Sequence, residues 1–250
     1  MDVLLNEIIF IAMAVTLGGL IKGLSGFGYA VVSTPLLALI MPVQEAVAFM
    51  IIPLMAANVE LVAEADREEL KHCLTEFRGL IASMMAGVTV AMLLLSWMPV
   101  RPMEMAVGLI SVLFVLSRTP FASNHFERLK DVCFRTWEPL IGLFSGIIYG
   151  ASNVGVATVA YLKSMGIERE KFVATLAAII LGISIYRVAL AQQLGLFTAP
   201  ENILISAGFA VPAVLSVAVG KRLAGRISDN LIEQVSLATI LLIGLRLLIG

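Results

Sequence analysis

Apolar residues run along this chain in long blocks separated by short polar stretches. The blocks predict ten helical segments at about 5–24, 28–41, 44–64, 74–98, 102–118, 137–150, 153–165, 170–193, 201–220 and 230–249. A helix that crosses a bilayer needs about 20 mostly apolar residues. Segments 28–41, 137–150 and 153–165 fall short. At 1.5 Å per residue a 14-residue helix reaches about 21 Å, against a hydrocarbon core of about 30 Å. These three are expected to be half-helices or the arms of re-entrant hairpins. Pro53 and Pro212, inside longer segments, predict kinks. The run Glu64–Glu69 reads as a solvated loop of mixed charge.

The order of segment lengths repeats. Each set of five runs through a broken pair, two long segments and a last one. A shift of about 124 superposes Gly18 on Gly142, Gly26 on Gly150, Val32 on Val156 and Thr34 on Thr158. Five segments per half is an odd number, so the second half enters the membrane from the opposite side, the plan of an inverted repeat. The expected organisation is a first membrane repeat over 1–118, a cytoplasmic linker over 119–136 and a second repeat over 137–250. The fold class is thus an all-α integral membrane protein with two inverted repeats whose broken helices meet near the midplane.

Composition agrees. Hydrophobic residues make up 60% and charged residues 14%, and mean hydropathy is +0.99. Soluble domains average about 45–50% apolar and about 25% charged. A net charge of −1 gives no basic field for nucleic acid. Basic residues orient the chain. With the N-terminus outside, the inner side holds Lys22, Arg67, Lys71, Arg118, Arg128, Lys130, Arg135, Lys163, Arg169, Lys171, Lys221, Arg222 and Arg226, and the outer loops only Arg101. Both termini are therefore expected outside the cytoplasm. Cys73 and Cys133 fall on the inner side, which predicts free thiols.

Two glycine-rich sites interrupt the apolar blocks at matching places in the halves: Lys22-Gly23-Leu24-Ser25-Gly26-Phe27-Gly28-Tyr29 and Ser145-Gly146-Ile147-Ile148-Tyr149-Gly150-Ala151-Ser152-Asn153-Val154-Gly155. Each glycine weakens a helix by up to about 1 kcal/mol relative to alanine. The competing explanation is close helix packing through small residues. Broken helices at a repeat interface are where transporters hold substrate, and helix N-termini suit anions. The candidate site is therefore Ser25, Gly26, Phe27, Gly28, Tyr29, Tyr149, Gly150, Ser152 and Asn153. Asn58 and Arg187, polar residues within long segments, join it as candidates. Arg187 has a competing reading as a side chain that snorkels to the outer interface. Asn58 has one as a group that meets water at the inner end of its segment.

The stretch Gly18 to Gly28, continuing through Pro35-Leu36-Leu37, resembles the opening of the sulfite exporter TauE/SafE family. The stretch Gly142 to Gly146, through Tyr161-Leu162 and Gly166-Ile167, resembles that family's repeated motif. Relatives often carry a more glycine-rich turn where this chain has Tyr149 to Asn153. The resemblance implies a secondary transporter in the bacterial inner (plasma) membrane that exports small sulfur-containing anions such as sulfite or organosulfonates. An anion channel and an intramembrane enzyme are the alternatives. No HExxH, G-x-S-x-G or Walker A pattern occurs, so the chain is not expected to be an enzyme. No metal and no cofactor are expected. The expected partners are a small anion and the bilayer, and a homo-oligomer stays open.

Overall fold

The computed structural model describes residues 2–26, 28–117, 137–196, 200–224 and 229–249. The expected linker, 119–136, and Cys133 lie outside the described residues. Among these the chain is helical, with no strand. The helices are α1 (Asp2–Ser25), α2 (Tyr29–Leu37), α3 (Val43–Phe49), α4 (Ile51–Ala63), α5 (Arg67–Glu76), α6 (Arg78–Trp97) and α7 (Val100–Ser117). The second half continues with α8 (Glu138–Ser152), α9 (Val156–Ser164), α10 (Arg169–Gln193), α11 (Pro200–Gly208), α12 (Ala210–Leu223) and α13 (Asp229–Ile249). Five stretches are long and apolar enough to cross a membrane: Asn6–Ser25, Val43–Ala63, Arg78–Trp97, Glu170–Gln193 and Ile203–Leu223. Large apolar side chains such as Phe144, Leu204 and Leu215 are exposed, as expected where the solvent is lipid. The molecule is a multi-pass membrane protein.

The short segments are short in three dimensions. Helices α2 and α9 have nine residues each, roughly 14 Å of length. Helix α1 stops at Gly26, whose φ of +82° is left-handed and whose amide donates to the Lys22 carbonyl. Helix α8 stops the same way at Asn153, with φ of +63° and its amide on the Tyr149 carbonyl. A left-handed residue after the last turn is a common helix stop, usually glycine and sometimes asparagine.

Both prolines interrupt their helices. Pro53 lacks the N–H that would reach the Phe49 carbonyl, and the helix breaks at Met50. The Ser206 hydroxyl takes the freed Phe49 oxygen at 2.6 Å. Pro212 breaks the other helix at Phe209, and the Phe49 and Phe209 rings meet at 5.7 Å. The solvated loop expected over 64–69 is a correction. Residues 64–66 do form a non-helical link, but 67–69 are the first turn of α5, which Asp66 opens by accepting the Glu69 amide at 2.9 Å. The physical reason is that an N-cap aspartate with acidic residues in the first turn favours a helix start even in a charged stretch.

The halves interlock. Helix α1 lies along α12, α8 along α6, α7 along α13, and α4 along α10. The first two contacts are built alike. A Cβ at Gly19 would strike the Ser216 side chain, and one at Gly142 the Ser83 side chain. A Cβ at Gly23 would lie 2.2 Å from the Val217 carbonyl oxygen, and one at Gly146 2.1 Å from that of Met84. Close packing thus explains these glycines, the reading that competed with a binding role.

Ion pairs gather one end of the bundle: Lys221 with Glu64 at 2.5 Å and Glu60 at 3.5 Å, and Lys171 with Glu69 at 2.7 Å. At the other end Arg101 donates to the carbonyls of Leu247 and Leu248, and Gln44 to that of Met98.

Backbone contact at Gly146 leaves no room for a side chain, whereas a Cβ at Gly182 meets nothing within 4 Å. Gly146→Leu is expected to destabilise the protein by about 1–3 kcal/mol or more through overpacking. Gly182→Leu is expected to leave the thermal midpoint in detergent near that of wild type.

Candidate functional site

The two breaks meet in one cavity of about 40 Å³. That is room for about three water-sized groups, the size of a small oxyanion. The first break supplies Gly26 and the whole first turn of α2, Gly28 to Val31. The second supplies Tyr149, Asn153 and Gly155, the residue before α9. Gly28 has φ of +95° and no side chain to cap α2, and α9 starts at Gly155 equally uncapped. The first amides of a helix have no partner within it. Here the starts of two half-helices border the same small space.

Helices α1 and α4 add charge and polarity. Lys22 is buried, lines the cavity and donates through Nζ to Asn58 Oδ1. Asn58 is held in place because its Nδ2 donates to the Leu54 carbonyl at 2.6 Å. An ammonium has three donors, so one neutral acceptor leaves Lys22 with donors to offer. The Tyr29 hydroxyl is buried and has no hydrogen-bond partner among the described residues. Among the described residues no carboxylate lines the cavity.

A second cation stands behind this wall. Arg187 is fully buried, so it does not snorkel. It donates to Asn153 Oδ1 at 2.5 Å and to the Gly150 carbonyl at 3.1 Å, and its guanidinium sits 4.9 Å from the Tyr149 ring centre. The Tyr149 hydroxyl shares a hydrogen bond with Ser184 at 3.1 Å. Asn153 Nδ2 donates to Thr34 Oγ1 at 3.1 Å and to the Val47 carbonyl at 3.0 Å. One asparagine therefore joins α2, α3 and α10 to the end of α8.

Of the residues expected at the site, Gly26, Gly28, Tyr29, Asn58, Tyr149 and Asn153 border the cavity. Phe27 lies outside the described residues. Five of the expected residues have partners in the structure that bear on their role. The Ser25 hydroxyl donates to the Ile21 carbonyl, and Ser152 donates to Ile148 and accepts from the Val154 amide, because a serine in a last helical turn finds backbone partners nearby. Gly150 packs against Ala91 and presents only its carbonyl, to Arg187. Asn153 has both amide hydrogens engaged, so it shapes the site rather than offering a free donor. Arg187 braces that shape from behind. Sequence reasoning missed Lys22 as a site residue by counting it among the loop cations. The signal was present: a lysine at the end of an apolar segment, one residue before a glycine-rich break.

Removing the neutral partner of a buried charge loses a hydrogen bond to a charged group, about 1.5–3 kcal/mol. Asn153→Leu is therefore expected to lower stability by that order in detergent unfolding. Adding Arg187→Met is expected to recover part of the loss, because the stranded charge leaves with it. Strict additivity of the two losses would show that they are not coupled.

No curated protein and no solved structure matches the chain. The family model described as Sulfite exporter TauE/SafE matches residues 11–247, which takes in both breaks and every helix that borders the cavity. The chain belongs to the sulfite exporter TauE/SafE family.

Proposed function

We propose that this protein is a secondary transporter that exports small sulfur-containing anions, such as sulfite or organosulfonates, by alternating access. One observation carries the reading. The uncapped starts of α2 and α9, the Lys22 ammonium and the Tyr29 hydroxyl border one small cavity that, among the described residues, has no carboxylate and leaves Tyr29 unpartnered. The Lys22 ammonium and the Tyr29 hydroxyl are both donors, which favour an anion. Amides and the positive end of a helix dipole hold an oxyanion, and low dielectric strengthens that hold. Lys22 supplies the formal charge, and Tyr29 a further donor.

The transport cycle rests on two inverted repeats, 1–118 and 137–250. Their support is the reciprocal packing of α1 on α12 and α8 on α6, with glycines 123 residues apart in like contacts: Gly19 with Gly142, and Gly23 with Gly146. The first helix of each half rides on the fourth element of the other, so rocking one bundle against the other opens the cavity to alternate faces. For orientation, both termini lie outside. Support comes from the ion pairs that gather 60–71, 171 and 221 at one end, where the basic stretches cluster.

The test is sulfite binding and flux with purified protein in liposomes. Hydrogen bonds to a charged group contribute about 1.5–3 kcal/mol, roughly ten- to a hundredfold in affinity. Lys22→Gln and Tyr29→Phe are each expected to weaken sulfite binding within that range while the protein stays monodisperse. Flux is expected to saturate with sulfite. Wild-type affinity in both folded variants would move the binding site elsewhere. Flux that rises linearly without saturation would favour a channel.

A further inference from the structure

Helix α5 carries a feature that the transport cavity does not use. Arg67, Lys71, Thr75 and Arg78 recur at spacings of four, four and three, so they form one stripe along α5 and into α6. Leu70 and Leu74 flank the stripe. These six residues line an open groove of about 480 Å³. Three neighbours of the stripe are engaged elsewhere. Cys73 is buried, Phe77 packs edge-on against Tyr161, and Glu69 pairs with Lys171. Other basic residues at the bundle ends, Arg101, Lys171 and Lys221, do meet carboxylates. No ion pair is found for Arg67, Lys71 or Arg78 among the described residues.

The groove sits at the lipid boundary. Arg78 heads a continuous exposed stripe on α6 that runs through Ala82, Ala86, Val90 and Leu94 to Trp97. Apart from Arg78 the stripe is apolar, and Trp97 at its far end is 86% exposed. Nineteen residues of helix separate the two ends, roughly 29 Å, close to the thickness of a bilayer core of about 30 Å. Tryptophan marks membrane–water interfaces. With Trp97 at one interface, Arg78 stands at the level of the opposite headgroups. Three cations lie there above a surface made for acyl chains.

We propose that the groove of Arg67, Lys71 and Arg78 beside Leu70 and Leu74 binds the headgroup of an anionic phospholipid. The phosphate lies among the three cations, and the chains descend over Leu70, Leu74 and the α6 stripe. The occupant is a lipid rather than a free anion, because apolar surface continues from the groove down the length of α6. An occupied groove would hold α5 against the end of the bundle, next to the Glu69–Lys171 pair.

The test is the retention of phosphatidylglycerol by full-length protein, read by native mass spectrometry after reconstitution in mixed phosphatidylcholine–phosphatidylglycerol vesicles. Each basic residue near an anionic surface contributes about fivefold, so three contribute on the order of a hundredfold. The triple variant R67Q/K71Q/R78Q is expected to lose the retained lipid. The charge-preserving variant R67K/K71R/R78K is expected to keep it, and R101Q, at the other end, is expected to match wild type. If the triple variant does not fold, K71Q and R78Q singly are expected to lower retention about fivefold each. Equal retention by wild type and the neutralised variants would overturn the proposal. So would stabilisation of wild type by inorganic phosphate to the same extent as by phosphatidylglycerol, since the groove would then read only charge. Sulfite transport is a separate readout, so failure here leaves the cavity's role untouched.

Discussion

Hydrocarbon offers no hydrogen-bond partners, so a helix can be interrupted inside a membrane only where the protein itself supplies them. Two interruptions in this chain set the terms for the rest of the fold. The helices break beside the left-handed residues Gly26, Gly28 and Asn153. Polar side chains then gather at these breaks. Asn153 bridges to Thr34 and Val47, Arg187 holds Asn153 and Gly150, and Lys22 meets Asn58. The same requirement explains the Ser206 hydroxyl on the carbonyl that Pro53 leaves free. The cavity between the breaks keeps donors to offer: the Tyr29 hydroxyl, the Lys22 ammonium and the first turns of two helices.

Close packing lets those interruptions sit side by side. Gly19 and Gly23 bring α1 onto α12, and Gly142 and Gly146 bring α8 onto α6. Without a hydrophobic drive between helices in lipid, small residues and backbone contact hold them together. The glycines in and around the two breaks therefore divide into two jobs. Those inside α1 and α8 build the helix contacts. Gly26, Gly28 and Gly155 shape the cavity wall, the first two through positive φ.

Most of the architecture was legible in the sequence because apolar blocks report membrane segments directly. The three short segments were recognisable by length alone, and Pro53 and Pro212 marked the two interrupted long ones. Three features were not legible, each for a physical reason. Helix α5 looked like a loop because its charges hide an amphipathic period, although Asp66 with Glu69 three residues later is a helix-start signature. Lys22 passed as a loop cation because a count of basic residues by segment ends cannot tell a charge in water from one turned inward. Asn153 looked like a free donor because its partners, Thr34, Val47 and Arg187, are distant in sequence. Glycine spacing suggested a repeat but could not show that each half packs its first helix on the other.

The central claim is that the two half-helix starts and Lys22 hold one anion between them. Selenite, a heavier analogue of sulfite, makes this directly visible through anomalous scattering in crystals of the protein. The account predicts a selenium peak inside the cavity, with its oxygens at about 2.7–3.2 Å from Lys22 Nζ, the Tyr29 hydroxyl and a first-turn amide of α2. A peak only at surface cations such as Arg101, with the cavity empty at saturating selenite, would contradict it.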